Sequence, residues 1–262
     1  MHTAGFGPEN ARDPAAGPPP EPPAAGASAG GATGASAAGR ASGLLQSIRR
    51  ELLPGLLIES AAPHRDPVVA RRVPAPWVLL GAGNYAAVLC HPGHPDLVAK
   101  VYAPGRPGLE EEAEVYRRLG SHPAFSECLY AGEGFLVLGR IRGETLYDRL
   151  RLGLPIPERV IEDVDGALLY ARTRGLRPHD VHGRNVMVQE GRGLVVDVSD
   201  FLREEACPAW ADTKRAYHWL YRPILRPLGL RVPYPVLEVA RRLHRRLRRS
   251  GDRSAPAPGG GG

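Results

Sequence analysis

The sequence runs to 262 residues, 43% of them hydrophobic and 24% charged, with a formal net charge of +6. That suits one full globular domain or two small lobes. No run of about 18 apolar residues is present to cross a bilayer, and the N-terminus lacks the basic start and apolar stretch of a secretion signal. Three widely separated cysteines, Cys90, Cys128 and Cys207, show no CxxC or Cys/His spacing, which argues against zinc and for reduced thiols in a cytoplasmic protein.

Glycine (32) and proline (27) are in excess, and the excess lies at the ends. Residues 1–42 are almost wholly Ala, Gly, Pro and Ser, and residues 250–262 finish in a glycine run; both are expected to be unstructured extensions. Between them, 43–76 reads as a helix and linker, the apolar spacing over 44–57 predicting a short amphipathic helix up to Pro54. Strands are predicted over 77–80, 85–90 and 97–102, with a glycine turn at 81–83 and a hairpin connection at 91–95. A helix follows over 110–119, acidic at its start and basic at its end as the helix dipole favours. Strands are predicted at 129–130 and 134–140. The rest is mainly helical (145–151, 158–173, 210–221 and 236–249) and encloses a short hairpin, 186–188 with 193–196.

The basic residues comprise 32 arginines and two lysines, Lys100 and Lys214. In so arginine-biased a chain, a retained lysine marks a site that needs a compact point charge. The net charge concentrates at the C-terminal end, where 241–249 reads RRLHRRLRR. A solvated face of a terminal helix is the ordinary reading of such a run. An anionic surface is the sharper one. No helix-turn-helix, zinc finger or aromatic strip supports specific nucleic-acid binding.

Three segments carry chemistry. Gly81-Ala-Gly83-Asn-Tyr-Ala86-Ala-Val88 joins two predicted strands, and its glycines would let backbone N–H groups approach phosphate. An ordinary glycine-rich hairpin would look the same, and a dinucleotide-binding turn is disfavoured because strand, not helix, follows. Lys100 stands in the apolar run 97–102, where burial is costly without an anionic partner. Glu112 is the best candidate, since it shares a helix face with Val115 and Leu119; Glu110 and Glu111 are the fallbacks. Finally, Asp180 and Asn185 lie five apart on a loop entering a strand, and Asp197 ends the partner strand. Asn185 and Asp197 can offer oxygen ligands to Mg²⁺, leaving Asp180 to orient a hydroxyl and accept its proton. Lys214 has no role in this scheme beyond a structural ion pair.

Taken together, these segments resemble the protein-kinase-like superfamily over about residues 77–225. Gly81–Val88 looks like the glycine-rich loop, with Ala86 at the third glycine position and Gly81, Gly83 and Val88 as nucleotide-binding positions. Lys100 matches the strand lysine, Glu112 its helix partner, Asp180 the catalytic-loop aspartate, Asn185 the metal-binding asparagine, and Asp197 the metal-binding aspartate that opens the DFG motif. Residues 136–146 resemble the strand and hinge between lobes, which implies that Gly139 to Ile141 face adenine through their backbone. HDVHGRNVMV, VVDVSDF and WADTKRAY look like a group of small bacterial serine/threonine protein kinases.

The resemblance implies an α+β, two-lobed fold: an antiparallel sheet with one main helix (77–141) and a reduced, mainly helical C-lobe (142–249). It also implies ATP and Mg²⁺ as cofactors and serine or threonine on a protein as phosphoryl acceptor. Departures stand at Pro178-His179, His182 and Val198-Ser199, and no long activation loop is visible. They leave open a small-molecule kinase of the aminoglycoside-phosphotransferase type, or a nucleotide-binding pseudokinase.

Overall fold

The computed structural model describes residues 37–60, 67–233, 235–237 and 239. Helix α1 (Ala37–Ser47) widens into a π-type turn over Ile48–Leu52 and ends as α2 (Leu53–Gly55). Ala41, Leu44, Ile48 and Leu52 recur at helical spacing and are all buried. α1 thus begins inside the stretch 1–42 that composition assigns to an unstructured leader. The buried residue there is Ala41, too small to announce an apolar face in the sequence. Strands β1 (Leu57–Glu59) and β2 (Val69–Arg72) pair antiparallel within the expected linker.

The next five strands form one antiparallel sheet. They are β3 (Val78–Ala82), β4 (Ala86–His91), β5 (His94–Tyr102), β6 (Cys128–Gly132) and β7 (Phe135–Gly139), in the order β3-β4-β5-β7-β6. Strand side chains alternate between faces, and this sheet has a use for both. Ala87, Leu89, Leu97, Ala99, Val101, Phe135 and Val137 pack with the apolar stripe of α1 and its π-type turn. The alternate residues Val98, Tyr102, Leu136 and Leu138 pack instead with Val115, Tyr116 and Leu119 of α3 (Leu109–Leu119). Cover on both sides explains why residues 97–102 of β5, Lys100 apart, and 135–138 of β7 read as apolar runs.

The second lobe contains β8 (Glu144–Thr145), α4 (Leu146–Leu152), α5 (Glu158–Thr173), β9 (Val186–Gln189), β10 (Arg192–Val195) and α6 (Ala209–Ala216). α6 runs on as a π-helix over Tyr217–Leu225. The small sheet has the order β10-β9-β8. Its β9–β10 hairpin turns through Glu190 and Gly191, both at positive φ (52° and 76°), as a two-residue hairpin loop requires. One core runs from the α3 side of the large sheet into this lobe. Phe125 packs edge-on against Phe201, and the Val195 N–H donates to the Ala124 carbonyl at 2.9 Å. The result is the expected α+β architecture. The three cysteines are free, and no helix among the described residues is long and apolar enough to cross a membrane. The basic run 241–249 lies outside the described residues, as do 1–36 and 250–262.

Candidate active site

Alternation along β5 places Lys100 on the same face as Val98 and Tyr102, toward α3. On α3, Glu112, Val115, Tyr116 and Leu119 are the buried residues, a helical stripe aimed at that face, while Glu110 and Glu111 are exposed. The two patterns meet at one contact. Lys100 Nζ lies 2.8 Å from Glu112 Oε1 and 2.6 Å from Oε2, and Glu112 is 0% exposed. Lys100 also reaches Asp197 Oδ1 at 3.3 Å.

Burial is the strongest influence on all three groups, and their partners decide how it ends. For Lys100, burial pulls the pKa down, but Asp197 and Glu112 outweigh it and hold the ammonium well above its ordinary range. For Asp197, burial pushes up, and Lys100 with the Ser199 N–H (3.2 Å from Oδ1) brings the net value below the usual aspartate range. For Glu112, burial wins over Lys100 and its pKa is raised. A cation thus stands fixed between two carboxylates of unequal basicity.

Asp180 precedes β9 in a left-handed backbone conformation (φ 54°) that few non-glycine residues adopt. The local hydrogen bonds hold it there. The Asp180 N–H donates to Cys207 Sγ at 3.3 Å, and its carbonyl accepts from Asn185 Nδ2 at 3.0 Å. The Asn185 N–H donates to the His182 carbonyl, and the Asn185 carbonyl accepts from the Val196 N–H. His182 Nε2 lies 3.8 Å from Asp180 Oδ1. With its amide nitrogen committed to Asp180, Asn185 keeps a side-chain oxygen that accepts no hydrogen bond among the described residues. Asp197, 39% exposed, offers a second. Hard oxygen donors of this kind fit Mg²⁺, which takes its remaining ligands from phosphate and water.

The other expected positions lie in and beside the large sheet. Val88 is the cross-strand partner of Lys100 and faces the same side. A Cβ at Gly81 would meet nothing within 4 Å, and at Gly83 only the Ala86 carbonyl at 3.9 Å. Internal packing therefore gives no reason for glycine at either position. The Gly139 backbone is already engaged: its N–H donates to the Glu127 carbonyl, and its carbonyl accepts from Ser126 Oγ. The Arg140 N–H donates to the Asp96 carbonyl. Of the three hinge residues, Ile141 is the one without such a commitment among the described residues.

Sequence reasoning passed over several members of this site. Tyr102, two residues beyond Lys100 on the same face, donates its hydroxyl to Glu112 Oε2; strand parity was the available signal. Asp200 has its pKa raised by burial first, opposed by Arg203 and reinforced by the negative charges of Asp180 and Asp197. Three carboxylates therefore share one field. Arg203 pairs with Asp200 at 2.8 Å and donates to the Tyr85 hydroxyl at 3.0 Å, which ties the glycine-rich turn to the segment after Asp197. Nothing in the local sequence signals that tie. Lys214 forms the expected structural ion pair, with Asp165 at 2.9 and 3.0 Å, and Trp210 Nε1 donates to the same carboxylate.

No protein-family model matches the chain. Among curated proteins, the chain is 34% identical over 152 residues to "Putative serine/threonine-protein kinase YrzF" of Bacillus subtilis (strain 168), covering 57% of this chain and 71% of that protein. Among solved structures, a point mutant of the Mycobacterium tuberculosis PknI kinase domain aligns at 27% identity with a TM-score of 0.37, over 50% of this chain and 62% of that one. Rad53 1-466 in complex with AMP-PNP aligns at 18% identity with a TM-score of 0.39, over 46% of this chain and 36% of that one. With a relative matched at this identity over most of its length, the chain belongs to the protein-kinase-like superfamily.

Proposed function

We propose that this protein is an ATP- and Mg²⁺-dependent phosphotransferase that moves the γ-phosphoryl group of ATP to a serine or threonine hydroxyl of a protein. The observation that carries the reading is Lys100, a cation held at contact distance between Glu112 and Asp197. Glu112 orients Lys100, and Lys100 positions the nucleotide phosphates. The open space over Gly81 and Gly83 accommodates those phosphates, with Val88 and Ile141 toward the base. Asn185 and Asp197 would hold Mg²⁺, which neutralises charge on the phosphates when bound. Asp180 takes the proton of the acceptor hydroxyl as its oxygen bonds to the γ-phosphorus and the bond to ADP breaks. Positioning and fixed charge supply the rate enhancement. The name of the Bacillus relative supports serine or threonine as acceptor, and three free cysteines fit a reducing, cytoplasmic setting.

A second reading, a small-molecule hydroxyl as acceptor, is favoured by one observation. His182, not lysine, stands beside Asp180. Incubation with labelled ATP and Mg²⁺ tests both. Label enters this protein or a generic protein acceptor, and Asp180→Asn lowers the rate about 100-fold or more. Labelling that is unchanged in Asp180→Asn refutes the mechanism. ATP consumption stimulated only by small hydroxyl compounds selects the second reading.

A further inference from the structure

Among the described residues, the π-helix Tyr217–Leu225 is packed on one side only. Tyr217 and Tyr221 are buried, with their hydroxyls bonded to the Ile156 backbone. On the outward side Trp219 is 80% exposed, and Leu220, Ile224, Leu228 and Leu230 are exposed beside it. Trp77 and Trp210 are buried, so Trp219 alone presents an indole to solvent. Five exposed apolar side chains within twelve residues of chain, three of them on this helix, are the composition of an interaction surface.

Its charge identifies the partner. From Thr213 to Leu237 the chain has no acidic residue, yet Lys214, Arg215, Arg222, Arg226 and Arg231 fall there, and the arginine run 241–249 follows soon after. Lys214, Arg215 and Arg222 are paired with Asp165, Asp212 and Glu158. Arg226 and Arg231 are exposed and form no ion pair among the described residues. A second copy of the chain meeting this face would set arginine against arginine. A nucleic acid would satisfy the arginines and leave Leu220, Ile224 and Leu228 uncovered. An anionic bilayer surface satisfies both, with indole and aliphatic groups at the headgroup boundary and arginines on lipid phosphates.

We propose that the exposed side of the Tyr217–Leu225 helix, with Leu228 and the exposed arginines Arg226 and Arg231 that follow it in the chain, docks this protein on anionic phospholipid membrane. The contact is peripheral, because no described helix can span a bilayer. It is independent of the catalytic reading.

The test uses the full chain with phosphatidylcholine vesicles, with and without about 30% phosphatidylserine. Anionic vesicles co-sediment the protein and shift tryptophan emission to the blue, and Trp219→Ala removes the shift. Arg226→Glu with Arg231→Glu weakens partitioning on the order of a hundredfold, as does added salt. Absence of binding, or equal binding to both vesicles, overturns the proposal. So does binding that Leu220→Ser with Ile224→Ser leaves unchanged, since the arginine run alone would then be responsible. Concentration-dependent dimerisation abolished by those serine substitutions, with no vesicle binding, assigns the face to a second copy instead.

Discussion

Lys100 and Asp197 are 97 residues apart in the chain and 3.3 Å apart in space. Two packing events accompany that contact. β5 alternation turns Lys100 toward α3, and the Val195 N–H bonds to the Ala124 carbonyl, which ties the end of β10 to the segment between α3 and β6. The strand lysine is thereby shared between the two lobes.

Lys100→Met leaves Glu112 buried without a cation. The expected cost is about 3 kcal/mol, with loss of ATP-dependent labelling. Burial already raises the Glu112 pKa, so the folded variant holds a proton there that the unfolded chain releases. Without the lysine that value rises further, so the deficit relative to the wild type grows as pH rises through the wild-type folded value, itself above 4.5. Urea denaturation of both proteins at several pH values measures this; a pH-independent deficit contradicts it.

Tyr102→Phe removes the hydroxyl that donates to Glu112 and keeps the ring in the core. Stability falls by about 1–2 kcal/mol. Labelling falls less than in Lys100→Met, since the lysine still has both carboxylates. Equal losses in the two variants would show that Tyr102 does more than steady Glu112.

Gly143 and Gly166 make opposite predictions for the same substitution. A Cβ at Gly143 (φ 156°) would lie 2.1 Å from the Val188 carbonyl, so Gly143→Ala disrupts the β8–β9 pairing beside the hinge and costs about 3 kcal/mol. Gly166 lies within α5 with nothing within 4 Å of its Cβ position. Gly166→Ala is expected to stabilise by about 0.5–1 kcal/mol. Thermal unfolding of the two variants reads both signs.

Asp163 accepts two hydrogen bonds from Arg192, each 2.8 Å, and one from the Gly193 N–H at 3.0 Å. The Arg192 bonds hold its pKa below the ordinary 3.8, against a smaller effect of burial. Its contribution is therefore complete above pH 3.8 and is lost as pH falls through the depressed folded-state value. Asp163→Asn should lower stability at neutral pH and flatten the acid limb of the stability profile. An unchanged acid limb would reject the assignment.

The residues that the structure brings together in the candidate site were largely legible because their signals are local. Glu112, Val115 and Leu119 lie on one helix turn after another, so the buried carboxylate could be separated from exposed Glu110 and Glu111 by spacing alone. Lys100 was marked by the scarcity of lysine and by its apolar strand. Asp180 and Asn185 share one loop, and a hydrogen bond joins them. By contrast, β1 and β2 are short and largely exposed, with little apolar pattern to announce them. The start of α1 was hidden in small residues. The Arg203–Tyr85 contact spans 118 residues and has no local signature.

By itself, then, the sequence determined the alternation of β5, the buried stripe of α3, and the polar residues of the Asp180 loop, because each depends on backbone period over a few neighbours. It could not decide which carboxylates would converge on Lys100, that Gly139 would spend its N–H and carbonyl on Glu127 and Ser126, or that Trp219 would be left outside. Those outcomes depend on how separately formed elements pack. Packing sums many weak contacts between residues distant in the chain, and only the tertiary structure performs that sum.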